Sequence, residues 1–326
     1  MTRSSVPPPV TAVMDAASAW LPARMVEVEE RLARLSAGYG PRLGGEAEAT
    51  LTAGGKRLRP LLVLMAAGDS AGEQAVRAAT AVELVHMATL VHDDVLDGAP
   101  VRRGRPTVVA RSGRDRAMGV GDLLFSRAFA ELALDGGEAE VAELSSASVA
   151  LALGELAQRR DAYDTSISEE RYLERCSLKT ARLFESACRV GRLASGAPGT
   201  EEIAAFGREI GLSFQLLDDV LDVTGPPERT GKARGTDLLD GTVTLPLILA
   251  RRLDPSLESV ELRGLDNAGA EALCDRIAVS GALDHVRDRA KQGIARAKRM
   301  IGSGHFTAEE RELLGMIADG VVERYS

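Results

Sequence analysis

Two acidic clusters with the same spacing are the residues most able to carry chemistry. The first cluster consists of Asp93, Asp94 and Asp97, and the second of Asp218, Asp219 and Asp222. In a helix, aspartates at i and i+4 share one face and the aspartate at i+1 lies about a quarter-turn away, so three carboxylates converge. Like charges at this spacing destabilise a bare helix. We therefore expect cations to compensate both clusters.

Oxygen ligands without neighbouring histidine or cysteine ligands favour hard cations, above all Mg²⁺. The two clusters are near-copies in apolar surroundings, which argues against the alternative that each is only a solvated helix end. A carboxylate di-iron bundle is a second alternative, because Glu83-x-x-His86 supplies half of its ligand pattern. That pattern needs a second Glu-x-x-His, and no other histidine has a glutamate three residues before it. The sequence therefore predicts Mg²⁺ held against an anionic substrate.

Basic residues occur where they could hold the phosphates of such a substrate. An arginine can pair with two phosphate oxygens at once, and a lysine acts as a point charge. One group follows a flexible glycine pair, a second follows the first acidic cluster, and others precede or follow the second cluster; they are Lys56, Arg59, Arg102, Arg103, Lys179 (beside Thr180) and Lys232. Together they predict a diphosphate-bearing substrate.

Helices are predicted for almost the whole chain, because alanine and leucine are abundant and β-branched alternation is scarce. Glycine and proline provide the stops between them. The predicted helices cover residues 16–36, 72–97, 118–134, 139–161, 168–194, 200–223, 242–252, 268–280, 282–302 and 307–324. No linker divides them, so the sequence predicts one all-α domain over residues 16–326 after a disordered tail over residues 1–15.

The overall composition argues against several classes of function and location. A net charge of −8 and only 3% aromatic residues argue against nucleic-acid binding. The three cysteines lack the C-x-x-C spacing of metal and redox sites, which predicts a reducing cytoplasm. No run of about 18 apolar residues is present, so no transmembrane segment is expected.

The chain resembles the trans-isoprenyl diphosphate synthase (polyprenyl synthetase) family over about residues 50–250. Two D-D-x-x-D motifs combined with G-G-K-R-x-R-P make the resemblance specific. The matching stretches are GGKRLRP (54–60), ELVHMATLVHDDVLD (83–97), RRGRPT (102–107), GDLLFSRAF (121–129), GE-x-x-Q (154–158), KTARLF (179–184), GLSFQLLDDVLDVTG (211–225) and GKARGTDLLDGTVTLP (231–246).

The resemblance implies an isoprenoid-synthase bundle of helices around a central cavity, usually a homodimer. It implies a Mg²⁺-dependent, head-to-tail condensation of isopentenyl diphosphate with an allylic diphosphate. By resemblance, Mg²⁺ is held by Asp93, Asp97 and Asp218, supported by Asp94, Asp219 and Asp222. The allylic diphosphate is then held by Arg102, Lys179, Thr180, Gln215 and Lys232, and isopentenyl diphosphate by Lys56, Arg59, His86 and Arg103. The residues expected to be catalytic are Asp93, Asp94, Asp97, Asp218 and Lys179.

One departure from the family pattern concerns the segment G-K-x-T-L-P. This sequence has Thr242 where family members commonly have lysine, and Lys232 and Arg234 are nearby cations that could compensate.

The residues before the first cluster bear on product length. Family members that stop early have bulky aromatics four and five residues before the first aspartate, where this chain has Thr89 and Ala88. We therefore predict a C30–C50 product, with C20 as the main alternative. Two other functions remain as alternatives, a class I terpene cyclase and a non-catalytic partner subunit. Both normally lack one of the two intact aspartate motifs.

Overall fold

The computed structural model describes residues 8–37, 45–47, 49–51, 57–102, 104–134, 137–225 and 234–323. The first helices are α1 (Pro8–Ala16), α2 (Leu21–Ala37), α3 (Leu58–Ala67), α4 (Gly72–Asp97), α5 (Val108–Ser112), α6 (Arg114–Ala133), α7 (Glu138–Arg160) and α8 (Glu169–Cys176). The later helices are α9 (Arg182–Ser195), α10 (Thr200–Thr224), α11 (Thr236–Leu239), α12 (Leu245–Leu253), α13 (Asn267–Val279), α14 (Ala282–Met300) and α15 (Ala308–Glu323).

The all-α prediction is confirmed. Within the described ranges, the strands are one antiparallel pair of two residues each, β1 (Val101–Arg102) and β2 (Arg105–Pro106). The prediction for residues 72–97 matches α4, which ends where Gly98 adopts a left-handed conformation (φ 61°) and donates its N–H to the carbonyl of Asp94. Such a cap favours glycine because it has no Cβ. The first cluster therefore occupies the last turn of α4.

The N-terminal prediction needs a correction in part. Residues 8–15 lie in the predicted disordered tail, but they form most of α1, which packs against α15 and buries Val13 completely. Packing of an apolar face outweighs the poor helix-forming character of this proline-rich segment. Residues 1–7 lie outside the described part of the chain, and the single domain over the rest stays a prediction.

Helix α9 is the central element of the bundle. It packs against α3, α4, α7 and α10, so it connects the helix that carries the first acidic cluster with the helix that carries the second. Its buried face includes Phe184, Cys188 and Val190, all fully shielded from solvent. The two helices that carry the clusters thus both pack against one buried helix. No described helix is long and apolar enough to span a bilayer.

A π-helical segment, Ser177–Ala181, interrupts the long helix predicted over residues 168–194. One extra residue per turn widens the helix locally, and such segments are frequent at functional sites. Here it contains Lys179 and Thr180. Two glycines allow its close packing: a Cβ on Gly154 of α7 would lie 2.6 Å from the Lys179 backbone N, and one on Gly211 of α10 would lie 2.7 Å from the Ala181 Cα.

A buried ion cluster fixes the start of α3 against α2 and α4. Arg57, which has a left-handed φ of 47°, donates from Nε to Glu29 and from Nη1 to Glu83, both at 2.6 Å, and from Nη2 to the Leu51 carbonyl at 2.8 Å. Glu83 is therefore held by an arginine as a buried charge pair. This arrangement argues against the di-iron alternative, which needs Glu83 as an open metal ligand.

The packing at Gly154 leads to a stability prediction. We expect Gly154→Ala to lower the free energy of unfolding by about 1–3 kcal/mol, because the added methyl group meets backbone atoms that cannot rotate away. Gly315→Ala in α15 is the matched control, since nothing lies within 4 Å of its Cβ position, and it should be neutral or slightly stabilising. Urea denaturation measures both, and equal effects would contradict the close-packing account.

Candidate functional site

The three aspartates of the first cluster differ in their contacts. Asp94 is buried and accepts a hydrogen bond at 2.7 Å from Nε of Arg102, which lies on strand β1. Asp93 is half-buried and Asp97 is exposed. Because they are separated by one helical turn, Asp93 and Asp97 share a face of α4. The cluster thus divides into a pair on one face and one carboxylate that ties the β-hairpin to the helix.

The second cluster shows a similar division. Asp219 is buried and accepts two hydrogen bonds, one at 2.5 Å from the Tyr172 hydroxyl and one at 2.7 Å from Nε2 of Gln215. Gln215 in turn accepts a hydrogen bond from the Thr180 hydroxyl at 2.7 Å. Asp218 is exposed. A continuous chain of hydrogen bonds therefore runs from the π segment through Gln215 and Asp219 of α10 to Tyr172 of α8.

Three ion pairs connect the π segment with the first cluster. The Lys179 ammonium group donates to Glu155 of α7. Glu155 also accepts from Arg159 Nε at 2.8 Å, and Arg159 donates from Nη2 to Asp97 Oδ1 at 2.5 Å. The charges alternate from Asp97 to Lys179, so each carboxylate has a cationic neighbour. This sequence of contacts brings together α4, α7 and the π segment.

The structure brings many of the predicted residues together, but not all lie in its described part. Arg59 on α3 stacks over the Phe184 ring at 4.5 Å, and the backbone carbonyl of His86 accepts the Thr89 hydroxyl at 2.7 Å. Thr180 and Gln215 lie in the hydrogen-bond chain to the second cluster, and Asp222 accepts from the Asp237 N–H at 3.3 Å. The predictions outside the described residues concern Lys56, Arg103 and Lys232.

Sequence reasoning did not single out Tyr172, Glu155 and Arg159 as parts of this site. Glu155 lies within a stretch that carries the family resemblance, GE-x-x-Q, and that was its one available signal. Tyr172 is fully buried on α8, and no motif marks it. These residues contact helices that are distant in the sequence. The spacing of residues within one helix does not predict such contacts.

The loop around Thr242 is held by backbone contacts. The Thr242 N–H donates to the Asp237 carbonyl at 2.8 Å, and the next carbonyl, of Val243, accepts from Arg175 at 2.5 Å. Arg234, considered above as a compensating cation, donates to the Val223 carbonyl at 2.5 Å and to Asp275 at 2.7 Å. Because Arg234 is engaged in these contacts, it is poorly placed to replace the missing lysine.

Burial dominates the electrostatics of the carboxylates. It raises the pKa of Asp93 to about 6, with Glu155 and Asp97 acting in the same direction and Lys179 and Arg102 against it. Burial also raises the pKa of Asp219 to about 8, although the hydrogen bonds from Tyr172 and Gln215 favour its charged form. Burial disfavours the charged form of these carboxylates, and an arriving cation would stabilise that form.

The donor set fits a metal that is shared with the substrate. Among the described residues, no group of three histidine, cysteine or carboxylate side chains is close enough to hold one ion. Mg²⁺ is typically bound through one or two carboxylates, with water and phosphate oxygens completing the octahedron. The Asp93–Asp97 pair and Asp218 provide this kind of partial shell on the two helices.

Comparison with known proteins assigns the chain to a family. The model of the polyprenyl synthetase family matches residues 41–271. Heptaprenyl diphosphate synthase component 2 of Geobacillus stearothermophilus is 44% identical over 231 residues, which cover 69% of this chain and 72% of that protein. Octaprenyl diphosphate synthase of Escherichia coli is 35% identical over 252 residues, covering 74% and 78%. The chain belongs to the polyprenyl synthetase family.

Solved structures agree with this assignment. The polyprenyl synthase from Caulobacter crescentus, complexed with calcium and isoprenyl diphosphate, has a TM-score of 0.89 and 34% identity, covering 97% of this chain and 98% of that one. The predicted activity, a prenyltransferase of the polyprenyl diphosphate synthase type, is confirmed by these similarities. The long-chain products in the relatives' names favour that prediction over the C20 alternative, although geranylgeranyl diphosphate synthases also match.

The raised pKa of Asp93 leads to a prediction for the metal-free protein. Its folded-state pKa of about 6 lies above the ordinary 3.8, so the unfolded chain ionises first as the pH rises. The free energy of unfolding therefore decreases as the pH rises from about 4 to about 6, and Asp93 causes no further decrease at higher pH. The Asp93→Asn variant has no carboxylate to ionise at this position. Its free energy of unfolding relative to the parent should therefore increase by roughly 1–2 kcal/mol between pH 4 and pH 6.

Urea denaturation in the presence of a chelator, at several values from pH 4 to pH 8, measures this difference. Asp288→Asn, a variant at an exposed aspartate of α14, serves as the control for simple loss of a charge. A stability difference that is the same at pH 4 and pH 6 would contradict the raised pKa.

Proposed function

We propose that this prenyltransferase uses Mg²⁺ to bind an allylic diphosphate, and extends it with isopentenyl diphosphate to a C30–C50 product. The observation that carries the proposal is that contacts lead from the π segment to both clusters, from Lys179 through Glu155 and Arg159 to Asp97 and from Thr180 through Gln215 to Asp219. This arrangement supports a site in which carboxylates from two helices surround a diphosphate and a lysine lies near them. Ionising the allylic C–O bond builds up charge on the diphosphate oxygens, which such a site stabilises.

In this proposal, the two acidic clusters each contain ligands and supporting residues. Asp93, Asp97 and Asp218 would hold Mg²⁺, and the metal would supply the positive charge that neutralises the leaving diphosphate. Asp94, Asp219 and Asp222 would support them, and for Asp94 and Asp219 this role is favoured by their hydrogen bonds to Arg102, Tyr172 and Gln215.

The substrates' diphosphates would be held by the basic and polar residues around the clusters. The allylic diphosphate is assigned to Arg102, Lys179, Thr180, Gln215 and Lys232, and isopentenyl diphosphate to Lys56, Arg59, His86 and Arg103. Lys179 must turn from Glu155 toward the substrate. The ion pair is partly buried, and the diphosphate would replace Glu155 as the anionic partner of the lysine.

The product length is proposed from the residues on α4 before the first cluster. Ala88 is fully buried, and the Thr89 hydroxyl is bonded to the backbone of its own helix. Neither side chain adds bulk next to the acidic face. The names of the heptaprenyl and octaprenyl relatives support a long product for this chain as well.

We expect Ala88→Phe to shorten the product, because a ring at this buried position would fill space that the growing chain needs. Ala88→Ser is the matched control, since it changes the residue with little change in volume and should leave the product length unchanged. Chromatography of the dephosphorylated products measures the length for each variant. If Ala88→Phe makes the parent's products, Ala88 does not line the elongation cavity.

We propose a homodimer formed through α7. This helix buries Ala147, Leu151 and Gly154 against its neighbours, yet its other side exposes Val149, Leu153 and Leu156 at helical spacing. An exposed apolar stripe of this kind is typical of a surface that a partner covers. The relative named as component 2 raises the alternative that a different chain covers it. The cytoplasmic location also remains a proposal, supported by three buried, free cysteines.

The function is tested with the chain purified alone, incubated with Mg²⁺, labelled isopentenyl diphosphate and an allylic primer. We expect chain elongation by the parent, and a loss of roughly 100-fold or more in both Asp93→Ala and Asp218→Ala, because each removes a group that stabilises the leaving diphosphate. Asp288→Ala is the control for loss of a surface carboxylate and should retain the parent's activity.

Near-normal activity in either cluster variant would contradict the two-cluster site. A cyclised hydrocarbon would instead support the terpene cyclase alternative. Elongation that requires a second protein would contradict the homodimer and support a heteromeric enzyme, and light scattering on the purified chain gives its mass independently.

A further inference from the structure

Arg159 lies at the end of α7, outside the residues to which the proposed function gives a role. Its guanidinium group makes three contacts: with Asp97 Oδ1 at 2.5 Å, with Glu155 Oε1 at 2.8 Å, and with the Leu96 carbonyl at 3.3 Å. The side chain of the next residue, Arg160, is 69% exposed and lies 3.7 Å from the Asp161 carboxylate. Of these adjacent arginines, one is therefore bound into the acidic site and the other faces solvent.

The contacts of Arg159 place a positive charge where negative charges accumulate, at the C-terminal end of α4. Asp97 is the last residue of α4, where the helix dipole is negative, and Asp93 and Glu155 add further negative charge near it. The guanidinium group binds the Asp97 carboxylate and also caps a carbonyl of the last turn. Arg159 thus supplies positive charge at the place where the proposed function puts a metal ion.

We propose that Arg159 is a positioning residue that neutralises and orients Asp97 while the site contains no metal, and that Mg²⁺ bound with diphosphate takes over this role from it. The inference rests on the proposed function, since it takes Asp97 as a metal ligand. Only Oδ1 of Asp97 accepts the bond from Arg159. A metal ion at this carboxylate repels the guanidinium group, so the ion pair weakens as the metal binds.

Two consequences follow from this exchange. Loss of Arg159 destabilises the metal-free protein, because the last turn of α4 then keeps its repulsive charges. The same loss strengthens the binding of Mg²⁺ and diphosphate, because the metal no longer displaces a competing cation. By the thermodynamic cycle, the gain in binding free energy equals the stability lost in the metal-free protein minus any loss that remains when the metal is bound. A half-exposed ion pair gives an effect of roughly two- to fivefold in the binding constant.

The test compares Arg159→Gln with the matched control Arg160→Gln, which removes the same charge one residue away. Isothermal titration calorimetry with Mg²⁺ and inorganic diphosphate measures binding without turnover. We expect Arg159→Gln to bind roughly two- to fivefold more tightly than the parent and Arg160→Gln to bind like the parent. Arg159→Lys keeps a charge that reaches Asp97 and should fall between the parent and the glutamine variant.

Thermal unfolding gives the second readout. In a chelator, Arg159→Gln should have a lower Tm than the parent, and this difference should disappear or reverse in Mg²⁺ and diphosphate. A purely structural arginine would cause the same loss of Tm in both conditions, which would overturn the proposal. Weaker or unchanged binding in Arg159→Gln, an equal effect in Arg160→Gln, or no binding to the parent would also overturn it.

The fate of the proposed function is measured separately. If the parent binds Mg²⁺ with diphosphate and the variants behave as expected, but no prenyl chain is elongated, then the assignment of Arg159 stands and the proposed function fails. If elongation occurs while Arg159→Gln shows no change in binding or in the metal dependence of its Tm, then the proposed function stands and the assignment of Arg159 fails.

Discussion

Mutual repulsion among buried and half-buried carboxylates is the constraint on which the rest of this structure depends. Both clusters occupy the C-terminal turns of long helices, where the helix dipole adds to the negative potential. In the described part of the chain, the first cluster is balanced by arginines from the β-hairpin and from α7. In the second, a tyrosine and a glutamine hydrogen-bond the most buried carboxylate. The bundle tolerates this concentration of charge because several separate elements each contribute one compensating group.

The same constraint explains the internal division of each cluster. In each, the middle aspartate is buried and bonded to protein groups, as Asp94 is to Arg102 and Asp219 is to Tyr172. Its neighbours remain nearer to solvent. A D-D-x-x-D motif therefore combines two tasks, since one carboxylate fastens the helix end to an adjacent element and the others stay more accessible to a ligand. The spacing of the three aspartates does not show this division, although the family resemblance implied unequal roles for them.

Much of this fold could be predicted because its signals are local. The bounds of α4 follow from the glycine at its C-terminal cap, and the acidic clusters and the GGKRLRP stretch carry the family resemblance. The features that the sequence did not predict depend on packing between distant segments. Pro8–Ala16 is a helix because α15 covers it, and Tyr172 contacts Asp219 across two helices. Neither contact leaves a periodic pattern in the sequence.

The π segment has a consequence for how the helix that contains it is organised. A regular α-helix has the same residue periodicity along its whole length, so its buried positions follow one pattern from end to end. A π turn shifts that pattern. The residues of α8 and those of α9 can therefore satisfy different neighbours, and Lys179 and Thr180 lie at the junction. Deletion of one residue here would remove the extra residue of the π turn and join α8 and α9 into one regular helix, and Lys179 and Thr180 would lose the widened turn that carries them.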